Sequence, residues 1–268
     1  MLTYEGIIID ATKGQGGISD DFKDKEKSRK HDKYEADIMD LMPIIETRII
    51  GHTVRSWISK SNKTLTIQPS YGGLCPDGTT ADTPEDAYPE DDKVLTENQK
   101  TGKISKSSQN GTGQGSNVEA YFTAENYMLN DKGWNQCFGG HYGSQPDEAL
   151  FHELVHALRQ MYGLYYPFPT MGSLVDYGDE EEFFAIVATN VYISAKNKND
   201  QLRASHNGFE PLAAPLNTSS GFVDDSDNRQ LLQRQCFANK VLWFELAVSN
   251  AQFNPFRELK SRFDNGKL

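Results

Sequence analysis

Apolar residues recur at three- and four-residue steps from Ile44 through Ile50 to Trp57 and Ile58, the spacing of an amphipathic helix. Residues 34–60 are therefore expected to be mainly helical, with Pro43 starting or kinking a helix. Residues 63–69 alternate apolar and polar with period two, which predicts a strand closed by Pro69. Residues 118–123 predict a second strand, taken as an exposed sheet edge on which an extended peptide could pair. The intervening residues 70–117 hold few apolar positions, an acidic cluster over 82–92 and several glycines. They predict a long irregular insertion or an inserted hairpin. Their Gly111-Thr112-Gly113-Gln114-Gly115 run precedes a strand rather than a helix, so no phosphate cradle is expected. Residues 1–30 are rich in glycine and charge after Ile7-Ile8-Ile9. They predict a poorly ordered leader or an edge strand ahead of one domain over 31–268.

Further along, Pro146 suits a first helical position, Asp147 and Glu148 favour the positive end of the helix dipole, and Gly163 suits a stop. A second helix is predicted over 180–194. A third is predicted over 228–250, with Leu231, Leu232, Cys236, Val241, Leu242 and Leu246 in its apolar stripe. The resulting class is α+β, mostly helical, with a small mixed sheet beside the helix at 146.

Composition narrows the function. The 268 residues carry a formal net charge of −11, and the one basic run, 23–33, is interrupted by acids, so nucleic-acid binding is not expected. No apolar run approaches the roughly 18 residues of a membrane span, and the N-terminus shows no classical secretion signal. Export without a cleaved signal, or a cytoplasmic location, are the two expectations. Cys75, Cys137 and Cys236 form no Cys-x-x-Cys pair and are expected to be structural free thiols.

The chemistry centres on His152-Glu153-Leu154-Val155-His156. Histidines four apart on a helix point within about 40° of each other, so two imidazoles can reach one Zn²⁺. Glu153 lies at the edge of that face, placed to act on a water without ligating the ion. A third ligand is expected from the run beginning Glu180-Glu181-Glu182. After Glu182 the helix is apolar on nearly every side, and a carboxylate entering such a helix needs a compensating partner. Arg159 and Tyr162 stand where the metzincin pattern wants glycine and histidine, which excludes that class. His206 and Arg203 are further candidates for stabilising an oxyanion, and His141 lies in the loop ahead of the motif.

Phe151-His152-Glu153-Leu154-Val155-His156-Ala157, with Tyr177-Gly178 and Glu182-Phe183-Phe184-Ala185, resembles the toxin and effector zinc metallopeptidases of pathogenic bacteria, the catalytic domain of the anthrax lethal factor among them. The resemblance covers about residues 45–195. It implies a gluzincin site on a zincin-like fold, with His152, His156 and Glu182 as Zn²⁺ ligands and Glu153 as general base. Tyr177 would be the tyrosine near the metal, although five residues separate it from Glu182, fewer than in the family pattern. Glu181 is the alternative ligand, because the clostridial neurotoxin peptidases carry paired glutamates. The resemblance further implies a protein or peptide substrate in a target cell, and an immunity or chaperone protein as partner. Two other functions share these residues: a zinc hydrolase of a non-peptide or cell-wall amide, and a non-catalytic zinc module closed by Cys137 or His141.

Overall fold

The computed structural model describes residues 1–13, 24–69, 78–89, 94–98, 103–107, 112–122, 142–206 and 208–268. His141, Cys75 and Cys137 lie outside them, as does most of the loop ahead of residue 142. Cys236 is a buried free thiol.

The short strands β1 (Leu2–Tyr4) and β2 (Ile7–Ile9) form a tight antiparallel pair at the start of the chain. Helices α1 (Asp24–Glu46) and α2 (Ile49–Lys60) follow. Pro43 lies inside α1, which runs on for three residues past it and then breaks before Ile49. Next come β3 (Leu65–Gln68), β4 (Gly78–Ala81), the short α3 (Pro84–Ala87), the hairpin β5 (Val94–Asn98) and β6 (Lys103–Ser107), and β7 (Val118–Tyr121).

Five of these strands make one mixed sheet in the order β1-β2-β3-β7-β4. The strands β2, β3 and β7 run parallel, and β1 and β4 are antiparallel edges. Register explains the core. Ile9 pairs Ile67, Leu65 pairs Val118 and Ile67 pairs Ala120. With a side-chain period of two, these residues all emerge on one face, and all are buried. Tyr34 of α1 closes this layer by donating its hydroxyl proton to the Phe122 carbonyl at 2.9 Å.

One expectation is corrected here. Residues 118–123 do not form an edge: β7 lies between β3 and β4. The edge is β4, whose Gly-Thr-Thr-Ala sequence has no apolar alternation to mark it. The same register puts Thr79 on the inner face, opposite Ala120, where its hydroxyl accepts from Gln160 Nε2 at 2.9 Å.

The helix carrying the histidines is α4 (Pro146–Met161). Pro146 occupies its first turn, and Gln145 and Glu148 form a reciprocal capping box. Gly163 ends it with φ +64°, and a side chain there would collide with the Gly113 backbone. Every residue of α4 from Asp147 to Met161 is buried, so it is a central helix rather than one with a free face. It packs against α1, α2, β4 and β7 on the sheet side.

On its other side lies α5 (Glu180–Ala195), capped by Asp179, whose carboxylate accepts from Glu182 N at 2.8 Å. The two helices are antiparallel, with Asp147 against Tyr192 at one end and His156 against Glu182 at the other. Lys196 pins the far end through Asp147 at 2.6 Å and the fully buried Glu148 at 2.7 Å. A 3₁₀ turn (Gly172–Tyr177) leads into α5. The chain finishes with α6 (Ser219–Asp224), α7 (Ser226–Ala238), α8 (Lys240–Ala247) and α9 (Pro255–Asp264). The single helix expected over 228–250 is two helices, because Asn239 leaves helical geometry (φ −145°) and caps α8 by accepting from Leu242 N. The class is α+β, mostly helical. No helix among the described residues is long and apolar enough to cross a membrane.

Candidate metal centre

His152 and His156 project from successive turns of α4 toward the first turn of α5. Their Nε2 atoms lie 3.0 Å apart. One oxygen of Glu182 lies 3.2 Å from His152 Nε2, and the other lies 3.4 Å from His156 Nε2. These three residues form a group that could hold a metal ion, with one ligand atom of each within 4.8 Å of the others. Ligand atoms placed about 2.0–2.1 Å from a tetrahedral zinc stand about 3.3 Å apart. The donor set therefore has the spacing and the chemistry of a two-imidazole, one-carboxylate metal site.

The far nitrogens of both rings have acceptors of their own, which leaves the Nε2 atoms for an ion. The Thr189 hydroxyl donates to the Ala185 carbonyl at 2.8 Å, so at 3.3 Å it accepts from His152 Nδ1. The Glu181 carboxylate can only accept, so His156 Nδ1, at 3.3 Å, donates to it. With an ion at the common point, each imidazole would keep its proton on Nδ1 and present the Nε2 lone pair to that ion. Glu181 is accordingly placed behind His156, on its Nδ1 side, and Glu182 in front.

Burial alone would keep both rings neutral. It does so for His152, whose pKa is pushed down to about 4. Burial also acts against the charged form of His156, but Glu182, Glu181 and Glu153 outweigh it and hold that pKa well above 6.5. For Glu182, burial opposes ionisation, and His156, His152 and His206 together overcome it and hold the carboxyl far below the usual range. The proton that charges His156 sits on Nε2, where an ion must bind. One proton should therefore leave for each ion bound. Apparent zinc affinity is expected to fall about tenfold per pH unit below the raised His156 pKa and to level off above it. Calorimetric titration in buffers of different ionisation enthalpy checks this, and an affinity flat across that range would contradict it.

The other expected residues fall in different places. Glu153 is buried on α4 beside His152. His206, half exposed, places Nδ1 2.9 Å from Glu182 Oε2 and covers the ligand carboxylate from the solvent side. Its loop is held by Asn190 of α5, which bonds both the N–H and the carbonyl of Arg203, at 2.7 and 2.9 Å. Arg203 in turn donates to the His206 carbonyl at 2.6 Å. Tyr177 lies on the core side of α5, edge-on to Phe183 at 5.0 Å. Burial, Asp225 and Asp176 raise its pKa, and no metal-centre residue is among those influences. The tyrosine whose hydroxyl does feel Glu182 is Tyr165, raised by burial and then by Glu181, Asp179 and Glu182.

Thr189 and Asn190 were not anticipated. The signal was there, since Thr189 stands seven residues after Glu182, two turns along the same face of an otherwise apolar helix. No protein-family model matches the chain, and comparison with curated proteins and with solved structures finds no match. The resemblance to toxin metallopeptidases therefore rests on the motif residues alone.

Proposed function

We propose that the chain is a zinc-dependent endopeptidase of gluzincin type. The observation that carries this reading is the convergence of His152 Nε2, His156 Nε2 and the Glu182 carboxylate at 3.0–3.4 Å, with Glu153 buried next to them on the same helix. A bound Zn²⁺ supplies a Lewis acid for a peptide carbonyl and brings the pKa of a water toward roughly 7.

The protein's own groups supply the rest. Thr189 and Glu181 hold the Nδ1 sides of His152 and His156, so no ring has to turn when the Nε2 proton of His156 leaves. Glu153 takes the proton of the attacking water and returns it to the leaving nitrogen. His206 donates from the open side, where developing charge on the carbonyl oxygen needs a partner. Arg203 anchors its loop. The outer edge of β4, unpaired among the described residues, offers backbone groups to an extended peptide laid beside α4. By its resemblance to toxin and effector peptidases, the substrate is a protein of a target cell.

The test is cleavage of a broad protein mixture by purified protein as isolated, after chelation, and after zinc is restored. Cleavage that vanishes on chelation and returns with zinc is expected. Stoichiometric zinc with no cleavage of any protein would replace this reading with a non-catalytic zinc module.

A further inference from the structure

Behind His156 a chain of buried polar contacts runs away from the metal centre into the C-terminal helices. Glu181 is 1% exposed and its carboxylate receives three donors. Besides His156 Nδ1, these are Arg159 Nε at 2.7–2.8 Å and the backbone N–H of Tyr166 at 3.1 Å. Arg159, also 1% exposed, lies one turn after His156 on α4, with its guanidinium carbon 4.1 Å from the centre of the Phe184 ring. It donates from Nη2 to Gln235 Oε1 at 2.5 Å. Gln235, on α7 and 76 residues beyond Arg159, donates in turn to Glu180 at 3.1 Å. Glu181, Arg159 and Gln235 are each 2% exposed or less, so none of the three can turn to water when its partner is lost.

We infer that Glu181, clamped by Arg159 and Gln235, is a positioning residue for the metal centre, so that α7 helps to fix the ring of His156. This rests on the reading of His152, His156 and Glu182 as a metal site. The physical reason is an over-determined carboxylate. Tyr166 N and Arg159 Nε fix where its oxygens lie, and His156 must present Nδ1–H to one of them. That leaves one ring orientation and one tautomer. Such outer partners of a ligating histidine are worth about 10–100-fold in metal affinity.

A structural ion pair would show the same contacts, so the experiment must separate the two roles. Glu181→Gln alone leaves the Arg159 charge buried without a counter-charge and will weaken the fold. The double variant Glu181→Gln/Arg159→Met removes both charges at nearly constant volume, and its Tm is expected to recover toward wild type. Its zinc affinity, measured by competition with a chromophoric chelator, is expected to stay about 10–100-fold below wild type. Recovery of affinity together with Tm would overturn the positioning role. Gln235→Leu should lower zinc affinity by less, and an unchanged affinity there would remove α7 from the proposal. The wild-type titration keeps the two ideas apart. Tight zinc binding that Glu181→Gln/Arg159→Met shares overturns this inference alone, whereas a wild type that binds no zinc overturns the metal reading beneath it.

Discussion

Replacing Glu153 by glutamine is expected to cut peptide hydrolysis by about 10²–10⁴-fold, the range for a lost general base, while zinc content stays at the wild-type level. The substitution keeps side-chain volume, which matters at a position only 5% exposed. It touches none of His152, His156 and Glu182 and neither of the residues that fix the rings, Thr189 and Glu181. What it removes is the carboxylate's ability to accept a proton, together with the smallest of the three carboxylate influences on His156. Metal analysis and cleavage assays on the two proteins decide the matter. Hydrolysis within a few-fold of wild type would take the proton-transfer role from Glu153. A variant that binds a peptide without cleaving it would also report the docking strand. A peptide laid on the outer edge of β4 should slow amide exchange across Gly78–Ala81. Exchange unchanged there, with peptide bound, would move the docking surface elsewhere.

The parts of this centre that were legible in the sequence are those written in one or two turns of helix. Pro146, the acids after it and Gly163 bracket α4. The four-residue step sets the two rings side by side. Glu182 could be expected because a carboxylate at the head of an apolar helix needs a partner, and His152, His156 and His206 surround it. What was not legible depends on contacts between segments far apart in sequence. Strand order is one such case. The alternation in 118–121 marks a strand, but its place between β3 and β4 is decided by which segments pair with it. Tyr177 is another. Its five-residue step to Glu182 is shorter than the step the resemblance calls for, and its ring packs edge-on to Phe183. The paired glutamates are a third. Adjacent residues on a helix point about 100° apart, so only one can enter the donor set. The sequence could not say which, because Arg159, 22 residues away, holds Glu181 behind His156. The break at Asn239 is a local event, an asparagine capping the next helix, hidden by an apolar stripe that continues in phase across it.

Arg159→Met is expected to be the most destabilising single change among the charged residues of the centre, by about 3–5 kcal/mol, the cost of leaving one member of a buried ion pair without its partner. At about 2–4 °C per kcal/mol for a chain near this size, Tm should fall by roughly 10 °C. The argument turns on burial rather than on distance. Lys260 and Asp264 approach as closely, at 2.6 Å against 2.7 Å for Arg159 and Glu181. Their side chains are 33% and 49% exposed, however, while Arg159 and Glu181 are each 1% exposed. Water can replace either member of the surface pair, so Lys260→Met should cost about 0.5 kcal/mol or less. In the buried pair the Glu181 carboxylate would keep only Tyr166 N and His156 Nδ1 as donors, and Gln235 Oε1 would lose Arg159. The guanidinium also lies over the Phe184 ring, a contact that methionine replaces only by dispersion. Thermal unfolding of the two single variants beside wild type, all in zinc-free buffer, measures the difference directly. A Tm for Arg159→Met within a degree or two of that for Lys260→Met would mean that the Glu181 charge is not confined as the structure has it. In that case the clamp behind His156 would have to be abandoned as well.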